Sequence, residues 1–575
     1  MLKLIRFLKP FALSVAGILL LVFFQSMAEL YLPTLMANIV DTGVMKGDTR
    51  YIYQVGGFML LVAAGSAILS VAAAYLSART AMGFGRDLRT NVFGRVESFS
   101  LHEFDKIGTA TLITRTTNDI TQVQMVLLIM MRMMVMAPMM AIGGIIMAIS
   151  KDGPLTWILA IAVPLLAVAI YFVATKGIPL FQAMQVKLDK LNRVLREYLT
   201  GIRVVRAFDR TEHERERFLE ANEDLTGTAI RVNRIMAFMM PFMMLVMNAT
   251  TISIIWFGSI RIDAGHLQVG DMMAFLQYAM QIMFSFVMVA MMFVMIPRAE
   301  ASAVRINEVL ETEPEIVDPK SPKRAVERRG HVEFEDVTFS YPGAEQPALS
   351  HISFHVNPGE VTAIIGGTGS GKSTLISLIP RFYDVDSGRV LVDGVDVREM
   401  TQSHLREKIG FVPQKAVLFS GSVADNIRYG RDGATADEVS QAAATAQATE
   451  FIDGLKEGFD SAIAQGGTNI SGGQKQRLSI ARALVRHPEI YIFDDSFSAV
   501  DFKTDARLRA ALRKETKDST VLIVAQRVAT VMDADRIIVL DEGQVVGIGT
   551  HRELMQSSSV YHEIVSSQLS EEELA

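Results

Sequence analysis

Over its first 300 residues the chain is a succession of long apolar runs separated by charged stretches, and from about residue 330 the alternation tightens to a few residues at a time. Six runs are long enough to cross a bilayer, which takes roughly 20 mostly apolar residues. They lie at 11–32, 54–76, 125–148, 153–175, 236–258 and 272–296. The first follows Pro10 and carries no small-residue cleavage site, which argues against a removable signal peptide. Only Ser-Lys-Asp-Gly-Pro separates the third run from the fourth, a hairpin on one side of the membrane.

The polar segments after the second and fourth runs are long and basic, with Arg86, Arg89 and Arg95 in one and Lys187, Lys190, Arg193, Arg203, Arg206 and Arg210 in the other. Lys3, Arg6 and Lys9 precede the first run. Excess Lys and Arg mark the cytoplasmic side, so both chain ends are expected inside. In 186–220, Val186, Leu188, Leu191, Leu195, Leu199 and Val204 recur at helical steps. That pattern predicts transmembrane helices continuing well into the cytosol; a separate small cytoplasmic subdomain is the other reading. The expected division is a membrane domain at 1–310, a linker at 311–330 with three prolines and mixed charge, and a soluble domain at 331–575.

Period-two alternation in HVEFEDVTFSY and GRVLVDGVDV predicts strands in the soluble domain. Between them an apolar strand, Val361 to Ile365, runs into Gly366, Gly367, Thr368, Gly369, Ser370, Gly371, Lys372, Ser373 and Thr374, followed by an apolar helix. This is G-x-x-x-x-G-K-[ST] in strand–loop–helix context, the phosphate-binding loop. Its glycines let backbone N–H groups turn toward phosphates. Lys372 would reach the β- and γ-phosphates, and the Ser373 hydroxyl would ligate Mg²⁺. Farther on, Ile490 to Phe493 form a short apolar run ending in Asp494 and Asp495. A nucleotide–Mg²⁺ site needs a strand-end aspartate for its metal, which is Asp494; Asp495 would sit beside the γ-phosphate. About 20 residues upstream, Ser471, Gly472 and Gly473 precede a helical run, a second candidate anion-binding helix start.

Together these stretches resemble the ATP-binding cassette family. Ile470 to Gln474 is close to the family signature Leu-Ser-Gly-Gly-Gln, Tyr341 stands where an aromatic stacks on adenine, and Gln414 in FVPQ matches the glutamine that touches Mg²⁺. Ser498-Ala499-Val500-Asp501 resembles the family's D-loop. The resemblance spans essentially the whole chain and implies a six-helix transmembrane domain of the type IV exporter fold, followed by an α/β P-loop cassette. A signature-bearing helical subdomain is expected at about 415–484. The cofactors implied are ATP and Mg²⁺, the metal being held by Ser373, Gln414 and Asp494. The resemblance also implies a second half-transporter as partner, with Ser471, Gly472, Gly473 and Gln474 completing the partner's ATP site. Segments near 98–110 and 205–215 look like the loops that dock into cassettes and drive alternating access by rigid-body movement.

Three residues depart from the family pattern. Asp495 stands where glutamate is usual, Gln526 where the switch segment carries histidine, and Gln465 where exporters usually show glutamate. Losing a methylene withdraws the carboxylate by about 1 Å, and misplacement on that scale costs on the order of 10²-fold in rate. Asp495, Gln526 and Lys372 serve one nucleotide, whereas the near-intact signature serves another. The expectation is a heterodimer whose partner supplies the usual Glu and His, with a degenerate site on this chain. A slow homodimer is the alternative.

Composition adds less. The chain has no cysteine, which excludes disulfides and Cys-based zinc sites, and its net charge of −6 gives no support to a nucleic-acid partner. Only Met400, Met532 and Met555 follow residue 300, so 30 of the 33 methionines lie in the membrane portion. Methionine is over-used at promiscuous binding surfaces, which suits export of hydrophobic or amphipathic compounds such as drugs; methionine replacing leucine against lipid is the other reading. Glu29 and Arg132 fall inside apolar runs. At a bilayer centre each would cost roughly 2.5–3.5 kcal/mol on insertion scales, so they should face a substrate cavity or each other, or snorkel to an interface. The expected protein is an exporter subunit integral to the cell membrane (plasma or inner), with lipids or peptides as alternative cargo and an ATP-gated channel or regulatory subunit as the alternative class.

Overall fold

The computed structural model describes residues 2–324, 329–498 and 500–568, and counts and absences refer to these residues. Part of the expected linker, 325–328, lies outside them. The chain divides into two compact units, Met1–Glu97 with Thr109–Thr312, and Ser98–Gly108 with Glu313–Ala575.

The first unit holds six long apolar rods: Lys3–Val44, Thr49–Glu97, Thr109–Lys151, Thr156–Thr200, Thr211–Asp263 and Val269–Glu311. Their 42 to 53 residues correspond to about 63–80 Å at 1.5 Å per residue, against a hydrocarbon core of about 30 Å. The excess length is the charged continuation of the same helices. Helix α1 covers Ala12–Asn38, α2 Thr49–Glu97, α3 Leu101–Ile107 and α4 Ile120–Lys151. Then follow α5 (Thr156–Phe172), α6 (Ile178–Thr200), α7 (Ile202–Ala207), α8 (Thr211–Asp263) and α9 (Val269–Glu311). No separate subdomain interrupts α2 or α8.

Five predicted runs lie wholly inside a rod. The fourth starts later than its apolar sequence because Asp152 builds the hairpin: its carboxylate accepts from the Leu155 amide at 2.9 Å and from Arg261 Nε at 2.6 Å. In the charged extensions, the buried Asp119 accepts from Ser302 Oγ at 2.9 Å and Arg305 Nε at 2.8 Å, joining the third rod to the sixth. The stripe in 186–204 is helical as predicted, yet Val186, Leu195, Leu199 and Val204 are exposed. The facing sides of α6 and α8 meet through charge instead, with Arg217 Nη2 donating to Glu197 at 2.8 Å and Lys187 pairing with Asp224. Prolines sit inside five rods, at Pro33, Pro138, Pro164, Pro241 and Pro297.

The second unit is built on sheets. Its strands are β1 (Val332–Phe339), β2 (Leu349–Val356), β3 (Val361–Gly366), β4 (Ser387–Val392), β5 (Val395–Asp396) and β6 (Ile409–Val412). After a two-stranded pair, β7 (Gly421–Ser422) with β8 (Ala462–Ile463), come β9 (Ile490–Asp494), β10 (Thr520–Val524), β11 (Arg536–Asp541) and β12 (Gln544–Gly549). One antiparallel sheet runs β2–β1–β4–β5 and the larger runs β12–β11–β3–β10–β9–β6. In the larger sheet only β12 is antiparallel to its neighbour. The parallel strands β9 and β10 are buried throughout, as unbroken apolar runs should be when both faces are covered.

Register positions the site. Val524 pairs with both Asp494 and Ile364, so Gly366, Asp494 and Gln526 emerge along one edge of the sheet. The carboxyl ends of parallel strands are where open α/β sheets bind ligands.

Candidate functional site

Strand β3 delivers the chain at Gly366 into a loop that enters α10, Lys372–Leu378. Gly369 and Gly371 have φ of +84° and +94°, a region that glycine occupies without strain. At Gly371 a Cβ would also stand 2.8 Å from the Ala348 carbonyl oxygen. The buried Lys372 ammonium folds back over this loop, donating to the carbonyl oxygens of Gly366 at 2.9 Å and Gly367 at 2.6 Å. Burial lowers its pKa, opposed by the charges of Asp495 and Asp494. Gly367, Thr368 and Gly369 are exposed along the open side of the loop.

Ser373 Oγ donates to Asp494 Oδ1 at 3.0 Å. Burial raises the Asp494 pKa, with the Ser373 bond working against it. Asp495 follows in the left-handed region with φ +44°, which the short polar side chains of Asp and Asn tolerate better than most. Its backbone amide is fixed on the Val524 carbonyl at 2.9 Å. Its Oδ2 accepts from two amides, Gln414 Nε2 at 3.3 Å and Gln526 Nε2 at 3.2 Å. Two residues from separate loops therefore converge on one carboxylate oxygen. The structure also brings in Gln568, near the chain's end, whose side chain bonds the backbone beside Gln526.

Tyr341 stands beside the first turn of α10, its hydroxyl 3.0 Å from Thr374 Oγ1 and its ring edge-on to Phe339 and Tyr383. It borders a cavity of about 290 Å³ shared with Ser100, His102 and Tyr383. The Tyr383 pKa is pushed up to about 12 by burial, with Tyr341 and Asp105 adding to it. Helix α3 belongs to this unit through Glu103, which accepts from the Ser100 amide at 2.6 Å and the Glu315 amide at 3.1 Å. The other expected docking segment, around α7, belongs to the first unit.

Ser471 caps α11, Gly472–Leu484. The cap is reciprocal: Gln474 N donates to Ser471 Oγ at 3.3 Å, and Ser471 N to Gln474 Oε1 at 2.8 Å. Ser471 and Gly472 are exposed, and among the described residues no hydrogen bond joins this turn to the phosphate loop. Lys475 Nζ donates to the Gly466 carbonyl at 2.9 Å, fixing the turn that starts at Gln465. Asp501 caps α12, Phe502–Glu515, by accepting from the Thr504 amide at 3.0 Å, while Ala499 lies outside the described residues.

Residues 15–286 match the ABC transporter transmembrane region, and residues 349–498 match the ABC transporter family. An uncharacterised ABC transporter ATP-binding protein of Mycobacterium tuberculosis is 46% identical, covering 98% of this chain and 97% of its own. The chain belongs to the ABC transporter family. A fatty acid ABC transporter ATP-binding/permease protein of the same species is 34% identical over 83% of this chain and 75% of its own. A solved bacterial Atm1-family ABC exporter with ATP bound superposes with a TM-score of 0.80 at 27% identity, covering 97% and 98% of the two chains. This ABC transporter is an integral membrane protein with an exporter fold, and its cassette places it among the ATP-hydrolysing transporters.

In the transporter's membrane unit, Glu29 on α1 and Arg132 on α4 are both half-buried. Gln25 Nε2 donates to Glu29 Oε1 at 2.9 Å. Among the described residues no ion pair links Glu29 to Arg132.

Proposed function

We propose that this chain is one half of an ATP-driven exporter of hydrophobic or amphipathic compounds, and that the ATP site on its own phosphate loop is degenerate. The carrying observation is the state of Asp495. A hydrolytic carboxylate beside the γ-phosphate must be free to orient water, but here both its neighbours are neutral amides that donate into the same oxygen. Gln526 can hydrogen-bond a phosphate yet cannot become cationic. Such a site suits holding ATP more than cleaving it. The signature keeps the exposed, self-capped geometry suited to the partner's nucleotide, so a second half-transporter with the usual Glu and His is the fitting companion.

In this reading Tyr341 stacks on adenine, Gly366 to Thr374 cradle the phosphates, and Lys372 places its charge among them. Mg²⁺ fits the donor set: the Ser373 hydroxyl, the Asp494 carboxylate and the Gln414 carbonyl oxygen are hard oxygen ligands, and Mg²⁺ favours one or two of these plus phosphate over an all-protein cage. Bound there, the metal would neutralise charge on the β- and γ-phosphates.

The methionine-rich rods and the relative named for fatty acids both favour an amphipathic cargo, with drugs and lipids as the two forms it takes. The basic extensions support a protein integral to the cell membrane with its cassette on the cytoplasmic side. The test is repair. In the assembled transporter, the double variant Asp495→Glu with Gln526→His should raise ATP turnover at this site about tenfold or more, the order expected for a repositioned catalytic group. Expressed alone, the chain should hydrolyse ATP far more slowly than the native complex. Equal rates alone and in complex would make it a homodimer and end the degenerate-site reading.

A further inference from the structure

The C-terminal helix ends on the switch segment. Helix α13 is Val528–Val531, α14 is His551–Ser557 and α15 is Ser559–Ser566. Tyr561 and Val565 of α15 are fully buried in the same apolar cluster as Val528 and Val531. His551 Nδ1 lies 2.8 Å from the Tyr561 hydroxyl, holding α14 and α15 together. Two residues past α15, Gln568 turns its side chain onto the backbone of the switch. Its Oε1 accepts from the Val528 amide at 2.9 Å, and its Nε2 donates to the Gln526 carbonyl at 2.8 Å.

A primary amide presents one acceptor and two donors in one plane. It can therefore bind the C=O of one residue and the N–H of the residue two further on, as a neighbouring strand would. The clamp brackets Arg527, and it fixes the backbone from which the Gln526 side chain reaches Asp495 at 3.2 Å. The line of bonds runs from α15 through Gln568 and Gln526 to Asp495. No other described side chain bonds the backbone of both Gln526 and Val528.

We propose that Gln568 is a positioning residue of the nucleotide site, clamping the switch segment so that Gln526 stays on Asp495 and the bound ATP is retained. The proposal rests on the reading that Asp495 and Gln526 face the γ-phosphate of this chain's nucleotide. It makes α15 part of the site. Pulling α15 away would open the switch without touching a phosphate-binding residue.

The experiment loads the assembled transporter with radiolabelled ATP, the partner's phosphate loop having been disabled, and follows its release into excess unlabelled ATP. Gln568→Ala should speed release about tenfold, the order of effect for losing two net hydrogen bonds. Gln568→Glu should be at least as damaging, because a carboxylate keeps the bond from the Val528 amide but opposes the Gln526 carbonyl. Burial of Tyr561 and Val565 keeps α15 seated in both variants. Gln526→Ala and Asp495→Ala are run alongside. Release as slow as wild type in both Gln568 variants, while Gln526→Ala speeds it, would overturn the clamp and leave the nucleotide-site reading standing. A Gln568→Glu protein indistinguishable from wild type would reduce Gln568 to packing. If Gln526→Ala and Asp495→Ala also leave release unchanged, the site reading falls and takes the clamp with it.

Discussion

The phosphate loop and the signature turn are both short glycine-bearing segments that open a helix, and they are finished in opposite ways. In the loop, Ser370, Lys372 and Thr374 are buried, Tyr341 and Asp494 arrive from two other segments to bond Thr374 and Ser373, and Gln414 and Gln526 converge on the adjacent Asp495. The signature satisfies itself: Ser471 and Gln474 bond each other, and Ser471 and Gly472 face outward. A cap closed on itself leaves the remaining N–H groups of the first turn pointing to solvent, where a helix start favours an anion. The contrast teaches that one chain carries a walled half-site and a bare half-site. The bare half suits a nucleotide held elsewhere.

The largest expected effect strikes the walled half. Lys372→Ala should weaken ATP binding at this chain's loop about 100-fold, since hydrogen bonds to charged groups are each worth roughly 1.5–3 kcal/mol. Equilibrium binding of radiolabelled ATP measures this, and unchanged affinity would show that the loop is not the receptor. Next comes the bare half. Ser471→Ala should lower ATP turnover of the assembled transporter about 30-fold, the loss of one charge-assisted bond, while ATP affinity at the chain's own loop stays within about twofold. If both quantities fall together, the two halves serve one nucleotide and the contrast is gone.

Tyr341→Ala sharpens the wall itself. It should reduce ATP affinity about tenfold, within the roughly 1–3 kcal/mol that a base gains by aromatic stacking, with membrane insertion normal by fractionation. The smallest effect is expected at the acid. Asp495→Ala should reduce turnover of the assembled pair only about twofold, because a degenerate site contributes little hydrolysis to lose. A collapse as deep as that of Ser471→Ala would instead make Asp495 a working catalytic group.

What was legible in the sequence follows from range. Apolar run length alone located the rods, because a bilayer demands it at every span. Their ends were not legible, since α2 runs to Glu97 through residues whose helicity depends on packing against other rods rather than on apolar content. The α6 stripe was helical in period but did not face its neighbour: ion pairs such as Arg217 with Glu197 took that side, and periodicity cannot say which face a partner takes. The phosphate loop, the acids and the signature could be read because each is a contiguous string. Ser100 and Glu103 form a reciprocal cap at helical spacing, a signal present in the string. Gln568 offered no such signal. Its bonds span 40 and 42 residues, and a lone glutamine near a chain end looks like surface.

The length of α8 carries a mechanical consequence. Its 53 residues make a beam of about 80 Å at 1.5 Å per residue, so a tilt of about 5° about its middle carries each end through about 3–4 Å. Pro241 sits close to the middle of this beam and removes one rung of its hydrogen-bond ladder. The beam is stiff along both arms and compliant at one place, which is how a lever is given its fulcrum.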